Sequence, residues 1–187
     1  MYDQRWYKSG VHDRRIEYTL EFLRAHGNPG MRVLDLGIEN PLSDLMKTKG
    51  IDVTNTAGDD LDLHPELGKG TGMDAVTAFE IFEHMVSPFP LIAGIEAPVL
   101  FASVPLRLWF AKAYRGDLDP YDQHYHEFEP WQFDLLLEKA GWRITHSKKW
   151  ASPGKLNGIR PLLRMFTDRY YLVRAERFSE VEIGNPG

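Results

Sequence analysis

Four groups of residues in this chain carry side chains that could do chemistry. The first is the run Val33-Leu34-Asp35-Leu36-Gly37, followed by Glu39, Asn40 and Pro41. It reads as a buried strand that turns at Gly37 and opens into a helix, with Asn40 as N-cap and Pro41 as first helical residue. Such a junction offers backbone N–H groups and the positive end of a helix dipole to a charged small molecule. Asp35 lies inside the apolar strand, where a carboxylate is costly unless hydrogen-bonded or paired. It is therefore either a structural acceptor for loop amides or a ligand contact. A dinucleotide loop asks for Gly-x-Gly-x-x-Gly. Here only Gly37 is present, and Glu39 and Pro41 stand where later glycines are expected.

The second group is Asp59, Asp60 and Asp62 in an acidic turn, where aspartate is also common for purely local hydrogen-bonding reasons. The third is Glu83-His84, a histidine with a neighbouring carboxylate, the pairing used for general-base work. Adjacent helical residues point in different directions, so the two do not automatically form a dyad. The fourth is His124, His126 and Glu127. Histidines at i and i+2 share a face only on a strand, and no third ligand has supporting spacing, so no metal site is expected. These residues instead line an acceptor pocket with Tyr121 and Tyr125, or cap the helix that begins near Pro130. If a base exists, His124 or His126 precedes His84 as its candidate.

The elements that must position these groups alternate. Ile16, Leu20 and Leu23 mark an amphipathic helix over about 13–26. A strand over 32–37 and a helix over 41–49 follow, then a strand over 51–56. A loop spans 62–72, and strands run over 74–79 and 99–104, the latter stopped by Pro105. A helix over 130–140 precedes two final strands, 142–150 and 170–177. The pattern predicts an α/β fold: a doubly wound, Rossmann-like sheet with helices on both faces, mostly parallel with an antiparallel last strand. In such sheets ligands sit beyond the carboxyl ends of the strands, where strand order reverses. That gathers 37–40, 55–60 and 79–84 around one crevice.

Composition narrows the function. The 187 residues carry a net charge of −5, which argues against a nucleic-acid backbone as partner. No cysteine is present, which excludes disulfides, thiolate metal sites and cysteine nucleophiles. No stretch approaches the roughly 20 apolar residues of a membrane span, and no secretion signal is read at Met1–Ser9, so a cytoplasmic protein without a membrane partner is expected. Tyr2, Trp6 and Tyr7 form either a lid or ordinary surface packing. Lys155, Arg160, Arg164 and Arg169 give the 151–169 connector a positive bias that attracts an anion or is simply solvated.

In order and spacing, four pieces resemble the class I S-adenosylmethionine-dependent methyltransferases over about residues 30–177: Val33 to Gly37, Gly58 to Asp62, Asp74 to Val76 with Phe79 to His84, and Val99 to Pro105. His124 to Phe128, with a helix ending at Lys139-Ala140-Gly141-Trp142, is similar to the small-molecule members. The resemblance implies S-adenosylmethionine as cofactor and a small-molecule acceptor. It implies a single methyltransferase-like domain over 1–187, with 1–28 as lid and helix and 30–177 as core. Asp35 and Gly37 match the motif's acid and first glycine, with Glu39 in the same loop. The acid expected to hold the ribose hydroxyls falls near Ala57, with Asn55 and Asp59 as stand-ins. Asp60 matches the acid bordering the adenine, Phe79 joins the cofactor residues, and His84, Tyr121 and Tyr125 line the acceptor pocket. The competing reading is a protein of this fold that binds a ligand or partner without catalysis. A nicotinamide-dependent dehydrogenase fares worse, because the phosphate-cradling glycines are missing.

Overall fold

A computed structural model describes residues 10–116, 122–152 and 163–178. Its centre is a six-stranded sheet built from β1 (Arg32–Asp35), β2 (Asp52–Asn55), β3 (Ala75–Phe79), β4 (Val99–Pro105), β5 (Trp142–Ala151) and β6 (Asp168–Arg177), in the order β2-β1-β3-β4-β6-β5. The first four strands pair in parallel, and β6 runs antiparallel to both β4 and β5. The last strand is thus the antiparallel one, as the sequence pattern predicts. Order reverses between β1 and β3, the neighbours from which the chain winds in opposite directions.

Side chains alternate across the sheet, and this divides the core into two layers. Val33, Ala75, Phe101 and Leu172 pack with Phe22 and Leu23 of α1 (Gly10–His26) and Met46 of α2 (Pro41–Thr48). Leu34, Val76, Leu100 and Val173 pack on the other face with Leu91 and Ile92 of α3 (Pro88–Gly94) and Phe133 and Leu137 of α4 (Pro130–Lys139). Among the described residues no helix is long and apolar enough to cross a membrane.

Two elements depart from the sequence reading. A short 3-10 turn, Pro65–Gly68, lies inside the 62–72 loop. Helix α3 has no counterpart in the sequence reading, and its segment contains Pro88 and Pro90. Both sit in its first turn, where a missing N–H costs nothing. Tertiary contacts close its far end. The Arg177 guanidinium donates to the Ala93 carbonyl at 2.7 Å and to the Ile95 carbonyl, and reaches the Ala140 carbonyl past α4 at 3.1 Å. One cation thereby serves the carbonyl ends of two helices. The Trp142 indole N–H donates to the Ile92 carbonyl at 3.0 Å and fixes α3 against β5.

Candidate functional site

The crevice at the carboxyl ends of β1 and β3 is built on Asp35. Its carboxylate is 3% exposed. It accepts from the Thr77 hydroxyl at 2.5 Å and from the Ser43 hydroxyl and the Asn55 amide at 3.0 Å each. Burial raises the pKa of Asp35, and these three donors oppose the shift. The three partners are side-chain donors from α2, β2 and β3, not the loop amides expected from the sequence. The carboxylate faces inward and ties β1 to β3, β2 and α2 beneath the crevice floor. Asn55 is drawn into the same knot, its amide also lying 3.4 Å from the Gly37 carbonyl, so its donor points under the loop.

Gly37 needs its glycine, since φ is +112°. A Cβ there would meet only Ile81 within 4 Å, at 3.5 Å, so the backbone is open on that side. The Gly37 N–H donates to the Thr56 hydroxyl at 2.7 Å. Asn40 caps α2 through the Leu42 and Ser43 N–H groups, as its residue type predicts. Glu39 pairs with Lys47 in the last turn of α2, which draws its carboxylate along the helix. Asp59 and Asp60 are exposed on the facing loop beside Ala57. Asp60 accepts from the Asp62 N–H at 2.9 Å within the turn. Phe79 ends β3 and packs toward the α1–α2 layer. The next residue, Glu80, carries no signal in the sequence that marks it. It adopts a left-handed φ of +57°, accepts from the Ser103 hydroxyl at 2.8 Å and pairs with Arg15 at 3.2 Å.

Beyond Glu80 the structure joins two groups that are far apart in sequence. The backbone N–H groups of Tyr125 and His126 donate to the Glu83 carbonyl at 2.8 and 3.3 Å, docking segment 122–128 against the 3-10 turn Phe82–His84. The Glu83 carboxylate is 1% exposed, and burial, then the charge of Glu80, pushes its pKa well above the usual carboxylate range. His84 Nδ1 lies 3.1 Å from the Gln123 carbonyl, and Nε2 lies 3.7 Å from Glu83 Oε1. The His124 ring sits edge-on to His84 at 4.8 Å and against Tyr114 at 4.5 Å. Burial, His84 and Arg169 push its pKa down to about 4, so it is neutral at physiological pH. Asp122, which sequence reasoning misses, accepts from the Tyr114 hydroxyl at 2.5 Å and lies 4.0 Å from His84 Nδ1.

The histidine pair expected at i and i+2 is split. His124 joins His84, whereas His126 Nε2 faces the Val86 carbonyl at 3.2 Å and its ring stacks on Phe128. Glu127 accepts from the Tyr114 N–H at 2.7 Å. Tyr125 is exposed, and Tyr121, Tyr2, Trp6, Tyr7, Lys155 and Arg160 lie outside the described residues. A cavity of about 110 Å³ opens between Lys112, Tyr114, Glu127, Arg164 and Arg169, on the Tyr114 side of His124. Its charged wall is only half visible in sequence, as the basic bias of the connector.

No protein-family model matches the chain, and no curated protein matches it in sequence. Solved structures do match. The chain is similar to a chain of the Haloferax volcanii complex between a methyltransferase activator and a methyltransferase, with TM-score 0.60 and 15% identity over 89% of this chain and 92% of that one. It is similar to an S-adenosylmethionine-dependent methyltransferase from Archaeoglobus fulgidus, with TM-score 0.59 and 14% identity over 93% and 97% of the two chains. The magnesium protoporphyrin IX methyltransferase of Synechocystis, solved with S-adenosylhomocysteine bound, matches with TM-score 0.56 and 15% identity over 94% and 92%. These likenesses and the strand order agree: the chain has the fold of the S-adenosylmethionine-dependent methyltransferases.

Proposed function

We propose that this protein binds S-adenosylmethionine at the carboxyl edge of β1 and β3 and transfers its methyl group to a small-molecule acceptor. The reading rests on one observation: the strand-order reversal between β1 and β3 carries an open glycine turn, Gly37, that leads directly into a capped helix. The missing Cβ at Gly37 leaves room for the methionine end of the donor. Asp59 and Asp60, exposed across the crevice, are the acids available to the ribose and adenine end. Phe79 belongs to the same rim. When bound, S-adenosylmethionine supplies a methyl carbon activated by its sulfonium, and the C–S electron pair stays with sulfur.

The chain's own part is positioning, which supplies most of the acceleration in such a transfer. The cavity beside His124 is the acceptor site. Lys112, Arg164 and Arg169 on its wall favour an acceptor with an anionic group. His124 disfavours a positive charge and backs the Tyr114 wall of this cavity as a neutral ring. His126 serves better as base: with Nε2–H donated to the Val86 carbonyl, Nδ1 keeps a lone pair for the acceptor's proton. Acceptors of this size fit a chain acting on metabolites and not on nucleic acid.

A second reading, ligand binding without catalysis, has its own observation. A Cβ at Gly58 would meet Ile38 at 2.6 Å, so the Ile38 side chain lies over the loop that should hold the ribose, and Ala57 supplies no carboxylate. Isothermal titration with S-adenosylmethionine and S-adenosylhomocysteine, with NAD as control, separates the readings. Micromolar binding of the first two, tightened about tenfold by Ala57→Asp through charge-assisted bonds to the ribose, is the expected result. Absence of heat at millimolar ligand in both proteins overturns the proposal. Binding without turnover across an anionic acceptor panel favours the second reading.

A further inference from the structure

We propose that Glu83, His84 and His124 form a binding site for one divalent transition-metal ion. Each residue offers a ligand atom, and the three atoms lie within 4.8 Å of one another. The site is assembled by folding alone: Glu83 and His84 come from the turn after β3, and His124 from a segment held there by the Glu83 carbonyl.

Three features point to a cation. His84 Nδ1 faces the Gln123 carbonyl at hydrogen-bond distance, so the proton resides on Nδ1 and the Nε2 lone pair faces Glu83. This is how ligating histidines are oriented, with the second ring nitrogen anchored to a carbonyl. Nε2 and Glu83 Oε1 are 3.7 Å apart, too far for a direct hydrogen bond. Two ligands that each sit about 2 Å from one zinc-type ion span a similar gap. Finally, Glu83 Oε2 and His124 Nδ1 are buried with no hydrogen-bond partner, and both belong to this cluster. Buried polar atoms are rarely left unmatched, and an ion accounts for both at once.

Two imidazoles and one carboxylate suit zinc, manganese or ferrous iron better than magnesium or calcium, which prefer all-oxygen shells. Three protein ligands leave a position open for a further oxygen or nitrogen. Asp122, held by the Tyr114 hydroxyl beside His84, supports the ring from outside. Glu80, paired to Arg15 and Ser103, adds negative charge nearby, and Arg169 opposes it on the His124 side. An ion here would polarise an acceptor oxygen in the neighbouring cavity, a consequence that rests on the function proposed above. The metal site itself does not.

The test uses the full chain, stripped with chelator and titrated with Zn²⁺ and Mn²⁺ in the absence of S-adenosylmethionine, with Mg²⁺ as control. Expected are one equivalent of Zn²⁺ at micromolar affinity or tighter, a higher melting temperature on loading, and at least about a 100-fold loss in Glu83→Gln and His124→Gln. Because a variant at a buried position can fail to fold, the deciding measurement uses the wild type: ¹⁵N-histidine spectra, in which Zn²⁺ shifts the His84 and His124 imidazoles out of seven and leaves His64 and His126 in place. Lack of a saturable single site, shifts confined to other histidines, or unchanged affinity in folded variants overturns the proposal. None of these outcomes depends on whether the crevice binds the methyl donor.

Discussion

The Thr77 hydroxyl donates to Asp35 Oδ1 at 2.5 Å, between residues that face each other in register on β1 and β3. This bond crosses the sheet at the point where strand order reverses, so the crevice floor is held together by a buried polar contact. Thr77→Val keeps the side-chain shape and removes the donor, leaving a buried carboxylate short of one partner. The expected loss is about 1–3 kcal/mol in urea denaturation, with Thr77→Ser retaining most of the stability. Equal stability of the Val and Ser variants would show that the bond contributes nothing net.

Glu80 carries a left-handed backbone, an ion pair to Arg15 and a hydrogen bond from Ser103, and strain and pairing oppose each other energetically. The conformation costs a non-glycine residue about 1–2 kcal/mol, comparable to what the two polar interactions contribute. Glu80→Gly is therefore expected within about 1 kcal/mol of wild type. Glu80→Ala keeps the strain without either partner and falls below it by about 1–3 kcal/mol. The usual preference for Ala over Gly is inverted, and chemical denaturation of the two variants reads the order directly.

Asp62 accepts from the Val86 and Ser87 N–H groups at 2.7 and 2.8 Å, while the N-cap residue Ser87 makes no side-chain cap of its own. The two residues that lead into helix α3 are thus anchored by a carboxylate 25 positions away in the chain. Asp62→Ala removes both acceptors and is expected to cost about 1–2 kcal/mol, and Asp62→Asn less. Hydrogen exchange should quicken first at Val86 and Ser87. An unchanged exchange rate there would reassign the contact to a surface pairing of no consequence.

The His26 ring lies 4.1 Å from that of His146, tilted by 30°, and burial, then the charges of His146 and Arg174, lowers its pKa from 6.5. A depressed histidine binds fewer protons folded than unfolded in the window below 6.5, so stability rises with pH there. The contribution is complete above the unfolded value and is lost as pH falls through 6.5 and below. In His146→Gln the His26 midpoint, followed by NMR, should move up toward 6.5 and the acid sensitivity should shrink. A midpoint unmoved by the substitution would leave burial as the dominant cause.

The sequence by itself determined the scaffold. Alternating apolar runs, Gly37 after a strand, Asn40-Pro41 at a helix start and Pro130 with Gly141 around another helix are local signals, since each depends on backbone sterics or on donors within a few residues. The mostly parallel sheet and its antiparallel last strand followed from the same patterning.

Tertiary structure decided what the polar side chains do, because a carboxylate or imidazole takes its role from the partners that surround it in space. Asp35 became a clamp because Thr77 and Asn55 arrive from neighbouring strands. Glu39 took a partner in Lys47 because that ammonium lies along the same helix flank. His124 parted from His126 and met His84 because the Glu83 carbonyl docks two segments that are distant in the chain. No periodicity in the sequence records those encounters; they exist only once burial has fixed which groups lose water and must find one another.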